Sequence, residues 1–373
     1  MRIMHISNNY TPYSGGVVSS LNALLPSLKK VGNDIMLITL DFLNQNNHND
    51  PTWVCRIPSL FNVMYHNNPL AFPTHPYNFI KEKVESFKPD IIHIHHPFLL
   101  GVIGKEIAQK YLIPCIFTYH TMYEKYAHYI PLPQAVTAPI IQKIVLAFCK
   151  DVTAIITPSK GIKQYLEGHA IVTPLHVLAS PLQDHFFGLM IGQKSNTAFE
   201  LLSVGRFMPE KNISMLIDLY AQLDPKDYRL TLVGYGAQEA QLRSLAYNYY
   251  HCCEEQIRFM IKPDPTTLRK AYGDANLFLF SSQTDTQGLV LAEAMSNGTP
   301  VLALPGFGQE DIIEQGFNGF IINSQEDMIS LIHRLKEDQS LLKELSENAY
   351  TTAQKFKADT ITNQLIAIYK NYL

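Results

Sequence analysis

The chain has 373 residues, of which 46% are apolar and 17% charged, with a net charge of −3. That length supports two domains with separate cores, and the composition excludes a disordered chain. The slight negative charge excludes a general nucleic-acid binder, and no apolar run is long enough to cross a bilayer.

The first nine residues lack the apolar core of a signal peptide, so the sequence predicts a cytosolic protein. Cys55, Cys115, Cys149, Cys252 and Cys253 are scattered and odd in number, which reads as reduced structural thiols. Residues 1–180 carry a net +4 and eleven of the 14 histidines, whereas residues 181–373 carry −7. A mildly cationic first half suits an anionic partner or surface, although such a difference is common between domains.

Residues 2–7 read as a first strand, followed by a loop containing Gly15 and Gly16 and a helix at 17–30. A second strand is predicted at 34–40, and residues 44–76 read as irregular, with strand-like pieces such as 53–57. So long a loop in a compact domain usually serves a function, and an acceptor site is expected beside it. Residues 89–97 form a strand ending in His93, His95 and His96. Alternation puts His93 and His95 on one face and His96 on the other, so a zinc site would need distortion, and no metal is assigned.

At 113–131 a strand ends at Thr118, and His120, Tyr123, Tyr126 and Tyr129 crowd the following loop. Ligands bind at such carboxyl ends in open α/β sheets. Tyrosine rings with an apolar body and a polar tip suit a membrane–water boundary and suit a core equally well. Residues 139–149 form an apolar helix bearing Lys143, with Lys150 just beyond, fit for a bilayer surface or a domain core. A strand and loop at 154–159 and a segment at 175–179 close the first half, and residues 182–197 form the predicted linker.

The second half opens with a strand and loop at 199–212, where Arg206 and Lys211 stand five apart. A guanidinium fork and a point charge on one loop suit a diphosphate. Residues 229–236 hold a partial Gly-x-Gly pattern, and a strand at 257–262 leads into Pro263-Asp264-Pro265. Residues 277–280 read as a buried strand, followed by Ser281, Ser282, Thr284 and Asp285. A helix then opens near Gly288 and stops at Gly298 and Pro300. Its free N–H groups attract anions, and Gly288 lets a ligand approach the backbone. Asp285 and Glu293, eight apart, suit a ligand with hydroxyls at both ends and phosphate between, which is the pattern of a nucleotide sugar. A turn and strand at 316–322 and a helical remainder from 327 complete the chain.

The segment from Asp285 to Glu293 resembles the acidic, seven-residue, acidic motif of retaining glycosyltransferases of family 4, which have the GT-B fold. The resemblance implies an α/β protein of two Rossmann-like domains facing each other across a cleft. Its expected boundaries are 1–181 for an acceptor-side domain, 182–197 for the linker, 198–357 for the nucleotide-sugar domain, and 358–373 for a helix crossing back. It implies that Glu293 binds ribose and Asp285 the hexose, with Gln287, Gly288, Leu289 and Val290 lining the contact. Arg206 and Lys211 match the family's phosphate-binding pair, Gly16 its first phosphate loop, and His120 its histidine at the donor sugar. The phrase from Thr118 to Ile130 is similar to bacterial diacylglycerol glucosyltransferases, which places Tyr123 and Tyr126 on the acceptor side.

Two positions depart from the pattern: Asp285 stands where Glu is usual, and Ala179-Ser180-Pro181 replaces a Pro-x-Gly turn. The chain has no Asp-x-Asp, so the leaving group's charge would fall to Arg206, Lys211 and the helix end rather than to a metal. The resemblance therefore implies a hexosyltransferase that needs no cofactor, takes UDP-glucose as a substrate, and works on a lipid acceptor at the inner membrane surface. Two alternatives stay open. One is a transferase of polysaccharide or lipopolysaccharide synthesis, and the other is a nucleotide-sugar-binding regulator without catalysis.

Overall fold

The computed structural model describes residues 1–11, 13, 15–42, 50–65, 68–129, 132–187 and 198–373. Of the expected linker, residues 188–197 lie outside this set, as do the side chains of residues 128 and 129, including the Tyr129 ring. The chain forms two compact units, residues 1–183 with 358–373, and residues 184–357.

The first unit contains β1 (Arg2–Ile6), β2 (Asp34–Leu40), β3 (Val54–Ile57), β4 (Ser59–Tyr65), β5 (Asn68–Pro73), β6 (Ile91–Ile94), β7 (Cys115–Thr118), β8 (Ala154–Thr157) and β9 (Leu175–Val177). Seven of these make one parallel sheet in the order β3-β2-β1-β6-β7-β8-β9. Every residue of β6, β7 and β8 is buried, because helices cover both faces of a parallel sheet. The strand order reverses between β1 and β6, and this switch point is where a doubly wound sheet opens a crevice at its carboxyl ends.

The stretch at 44–76, expected to be irregular, is more regular than that. Besides β3 it holds an antiparallel hairpin, β4 with β5, whose Phe61 and Phe72 rings stack at 4.6 Å. Cross-strand aromatic pairing holds the hairpin together outside the main sheet, and its broken apolar pattern hides it in the sequence.

The helix Gly16–Lys30 packs against the last helix, Ala358–Lys370, so that Leu21, Leu24, Leu25 and Leu28 share a core with Ile361, Leu365 and Tyr369. Ser27 Oγ donates to Asp359 at 3.0 Å, and Lys30 reaches the same carboxylate at 2.8 Å. This contact places the chain's end in the first unit.

The second unit contains β10 (Phe199–Val204), β11 (Tyr228–Gly234), β12 (Ile257–Ile261), β13 (Leu277–Phe280), β14 (Val301–Ala303) and β15 (Gly319–Ile321), ordered β12-β11-β10-β13-β14-β15 and all parallel. Its switch point lies between β10 and β13. The loops after those two strands carry Arg206 and Lys211 on one side and Asp285 on the other.

Candidate active site

In the second unit the end of β10 is clamped by the end of β11. Gly205 donates to the Val233 carbonyl at 2.9 Å and Phe207 to the Tyr235 carbonyl at 2.8 Å. A Cβ on Gly236 would come within 2.3 Å of the Phe207 carbonyl oxygen, so the Gly-x-Gly pattern serves a close backbone approach that aims the Arg206 loop. A single turn, Pro209–Lys211, then brings Lys211 to the end of β13. Lys211 Nζ lies 2.5 Å from Asp285 Oδ1, and both side chains are largely buried. Ser282 Oγ sits 2.8 Å from the same oxygen, and Ser281 Oγ donates to the Lys211 carbonyl at 2.8 Å. Burial alone would raise the Asp285 carboxyl, but the Lys211 ammonium, the Ser282 hydroxyl and Arg206 outweigh it and hold the group below its usual range. Arg206, a third exposed, pairs with Glu210 at 3.4 Å.

The helix after this loop, Leu289–Met295, begins at Gly288 in the left-handed conformation, φ 77°. It is a short helix of seven residues. Glu293 lies on its buried side, where Oε2 accepts the Tyr272 hydroxyl at 2.7 Å. Burial raises this carboxyl from 4.5 to about 7, against a smaller lowering by the Tyr272 hydrogen bond. The Tyr272 hydroxyl is itself pushed well up, by burial first and then by Glu293.

Tyr272 and the 306–309 loop escape a sequence reading, as does the bond that Ser282 makes to Asp285. Tyr272 lies in the Pro265–Asp274 helix with no motif around it. Gln309, fully buried, donates from Nε2 to the Ser282 carbonyl at 2.6 Å, and a Cβ on Gly308 would come within 2.4 Å of Gln287 backbone atoms. The two glycines around Phe307 after a strand were the available signal.

In the first unit, Gly16 is the first residue of its helix. His96 Nδ1 lies 3.3 Å from both the Asn8 amide and Ser7 Oγ, bracing the loop after β1. The three histidines of β6 and its loop are all buried, and a fourth, His5, joins them from β1, in register with His93. His93 Nδ1 lies 2.5 Å from the Tyr369 hydroxyl and Nε2 2.6 Å from Thr118 Oγ1. His95 Nε2 is 3.0 Å from His5 Nδ1, and His95 Nδ1 is 2.9 Å from His120 Nε2. Ring nitrogens of His5, His93 and His95 all lie within 4.8 Å of one another, a grouping that the strand pattern of residues 89–97 alone does not reveal.

Tyr123 and Tyr126 sit in the 3-10 helix Tyr123–Tyr129. The Tyr123 ring turns inward, edge-on to Phe98 at 5.1 Å and to Tyr119 at 6.4 Å, which is core packing rather than a ring offered to an interface. Tyr126 is half-buried.

Two family models match the chain: "Glycosyltransferase Family 4" over residues 14–181 and "Glycosyl transferases group 1" over residues 191–352. Among characterised proteins, the alpha-monoglucosyldiacylglycerol synthase of Streptococcus pneumoniae is 27% identical, covering 100% of this chain and 86% of its own length. The enzyme of the same name from Acholeplasma laidlawii is 26% identical, covering 99% and 96%. The solved structure of sucrose-phosphate synthase from Thermosynechococcus elongatus matches with a TM-score of 0.81 at 20% identity, over 99% of this chain and 98% of that one. Anabaena HepE in complex with UDP-glucose matches with a TM-score of 0.77 at 16% identity, over 100% of both chains.

Proposed function

The chain belongs to the GT-B glycosyltransferases of family 4, and from that premise we propose that it moves glucose from UDP-glucose to a membrane lipid such as 1,2-diacylglycerol, with retention of anomeric configuration. The observation that carries the donor side is the convergence of Arg206, Lys211 and Asp285 on the loops at the β10/β13 switch point, with Glu293 buried behind them.

In this reading Glu293 and its Tyr272 partner take the ribose hydroxyls, and Asp285 takes hydroxyls of the hexose. Gln287, Gly288, Leu289 and Val290 line the passage between them. Lys211 and Arg206 face the diphosphate, with Gly16 on the backbone of the first loop and His120 at the sugar. Lys211 neutralises Asp285 in the resting protein, so the incoming phosphate meets a cation already desolvated and held in place, which costs little reorganisation during reaction. The acceptor hydroxyl oxygen bonds to the anomeric carbon on the face from which the nucleotide leaves. The bond to the diphosphate breaks, its electron pair stays on the phosphate oxygen, and the hydroxyl proton passes to that oxygen. Two fixed cations supply the charge that a metal would otherwise bring, so neither a metal nor a cofactor is required.

Two observations support the lipid acceptor. The two diacylglycerol relatives align over nearly the whole chain. On the helix Gln134–Lys150, Val136, Ile140 and Ile144 recur at one-turn spacing and are about half exposed, with Leu132 just before them and Lys143 and Lys150 beside them. An apolar stripe beside lysines suits an anionic lipid surface, with Tyr126 close in sequence on the acceptor side. Among the described residues no helix is long and apolar enough to cross a membrane.

The test is UDP release from UDP-glucose in the presence of anionic vesicles with and without diacylglycerol. Turnover that depends on diacylglycerol and yields the α-anomer is expected. Release driven equally by a soluble sugar acceptor would overturn the lipid reading, and a β-anomer would overturn retention. Replacing Ile140 and Ile144 together by Asp should reduce co-sedimentation with vesicles several-fold while leaving UDP binding unchanged.

A further inference from the structure

Four buried or half-buried histidines from three strands meet at the carboxyl ends of the first unit, and one reading must account for all their hydrogen bonds. A zinc site built on His5, His93 and His95 would need a bare nitrogen from each ring. Both nitrogens of His93 are engaged, by Tyr369 and Thr118, and both nitrogens of His95 by His5 and His120. A metal would have to displace those bonds, whereas the rings as placed form a continuous chain from His5 through His95 to His120.

We propose that His95 and His5 are positioning residues that fix the tautomer of His120, so that its proton sits on Nδ1 and it acts as a hydrogen-bond donor. The functional part of this inference rests on the reading above that His120 meets the donor sugar; the tautomer itself does not.

The direction of the chain follows from its buried end. Burial lowers His5 and His120 to about 3 and His95 well below its usual range, so each ring is neutral and carries one N–H. His5 Nε2 is buried and has no hydrogen-bond partner among the described residues. A buried N–H without an acceptor is the rarer and costlier defect, so Nε2 is the bare nitrogen and the His5 proton sits on Nδ1. His5 then donates to His95 Nε2, His95 donates from Nδ1 to His120 Nε2, and His120 is left with its proton on Nδ1. One unpartnered atom two rings back thus decides what His120 offers.

The experiment is ring-nitrogen NMR of the full-length protein labelled with ¹⁵N-histidine, without ligand, with His120 assigned through the His120→Gln variant. The expected pattern is a protonated Nδ1 and a bare Nε2 on His5, His95 and His120 alike. A His120 protonated on Nε2 overturns the inference, as does a stoichiometric metal in the purified protein whose removal shifts the His5, His93 and His95 resonances.

His95→Asn keeps a side-chain amide donor near the position of Nδ1 and should preserve the His120 tautomer and most of kcat. His95→Leu should let both His120 tautomers appear and lower kcat about 10- to 100-fold, with KM for UDP-glucose changed much less. Equal losses in the two variants, with intact melting curves, would reduce His95 to packing and overturn its positioning role. If the tautomer is as expected but His120→Gln turns over normally, the placement of His120 at the sugar fails while the hydrogen-bonded chain stands.

Discussion

Glu293 occupies a place where ionisation is costly: its carboxyl is buried, and among the described residues it is the Tyr272 hydroxyl that donates to it. Its proton is held up to about 7, whereas an unfolded chain releases it near 4.5. Because the folded value is the raised one, this group's contribution to stability is complete below about 4.5 and is lost as pH rises through about 7. The difference amounts to something on the order of 3 kcal/mol. Urea unfolding midpoints should therefore fall between pH 5 and pH 8 in the native protein, and fall less in Glu293→Gln. A parallel decline in both would remove the residue from this role. In the proposed reading, where Glu293 takes the ribose hydroxyls, the ionised form is the better acceptor, so UDP binding should release a proton near neutral pH and weaken below it. Isothermal titration in buffers of different ionisation enthalpy reads that proton directly, and Glu293→Gln should abolish it and lower UDP affinity.

At the scale of elements, the loops around Asp285 are held by close backbone approaches as well as by side-chain bonds. The 306–309 loop leans on residues 282–288 through the Gln309 amide and through a contact that leaves no room for a Cβ at Gly308. Gly308→Ala forces that backbone apart, and overpacking of this kind typically costs about 1–3 kcal/mol. Urea unfolding should show that loss, and UDP affinity should fall with it because Gln287 and Gly288 move. Wild-type stability in the variant would mean the loop yields and the buttress is unimportant. The same logic explains why β6, β7 and β13 are easy to recognise in sequence while the β4/β5 hairpin is not. Strands buried on both faces read as short, mostly apolar runs, but a two-stranded ribbon with exposed Leu60, Phe61 and Phe72 has no such constraint.

At the scale of the whole chain, the last helix belongs to the core of the first unit, where Ile361, Leu365 and Tyr369 are buried and Tyr369 meets His93. Each such side chain stabilises by about 1.5–3 kcal/mol, and together they are comparable with a domain's entire margin. A chain ending at Lys357 should therefore bind hydrophobic dyes and lose its cooperative melting transition, and Leu365→Ala should cost about 2–5 kcal/mol. A truncated chain that melts like the full one would show the helix to be dispensable. The sequence alone determined the two parallel α/β halves and most strand ends, because buried parallel strands and the polar loops after them differ so sharply in composition. It also marked Arg206, Lys211 and Asp285 in the loops after two strands and Glu293 in the helix that follows, as residue types suited to a diphosphate flanked by hydroxyls. Only the tertiary structure decided the partners: Lys211 with Asp285, Glu293 with Tyr272, and His95 with both His5 and His120. Those pairs lie 74, 21, 90 and 25 residues apart, and such partnerships arise from sheet register and helix packing, which local pattern does not encode.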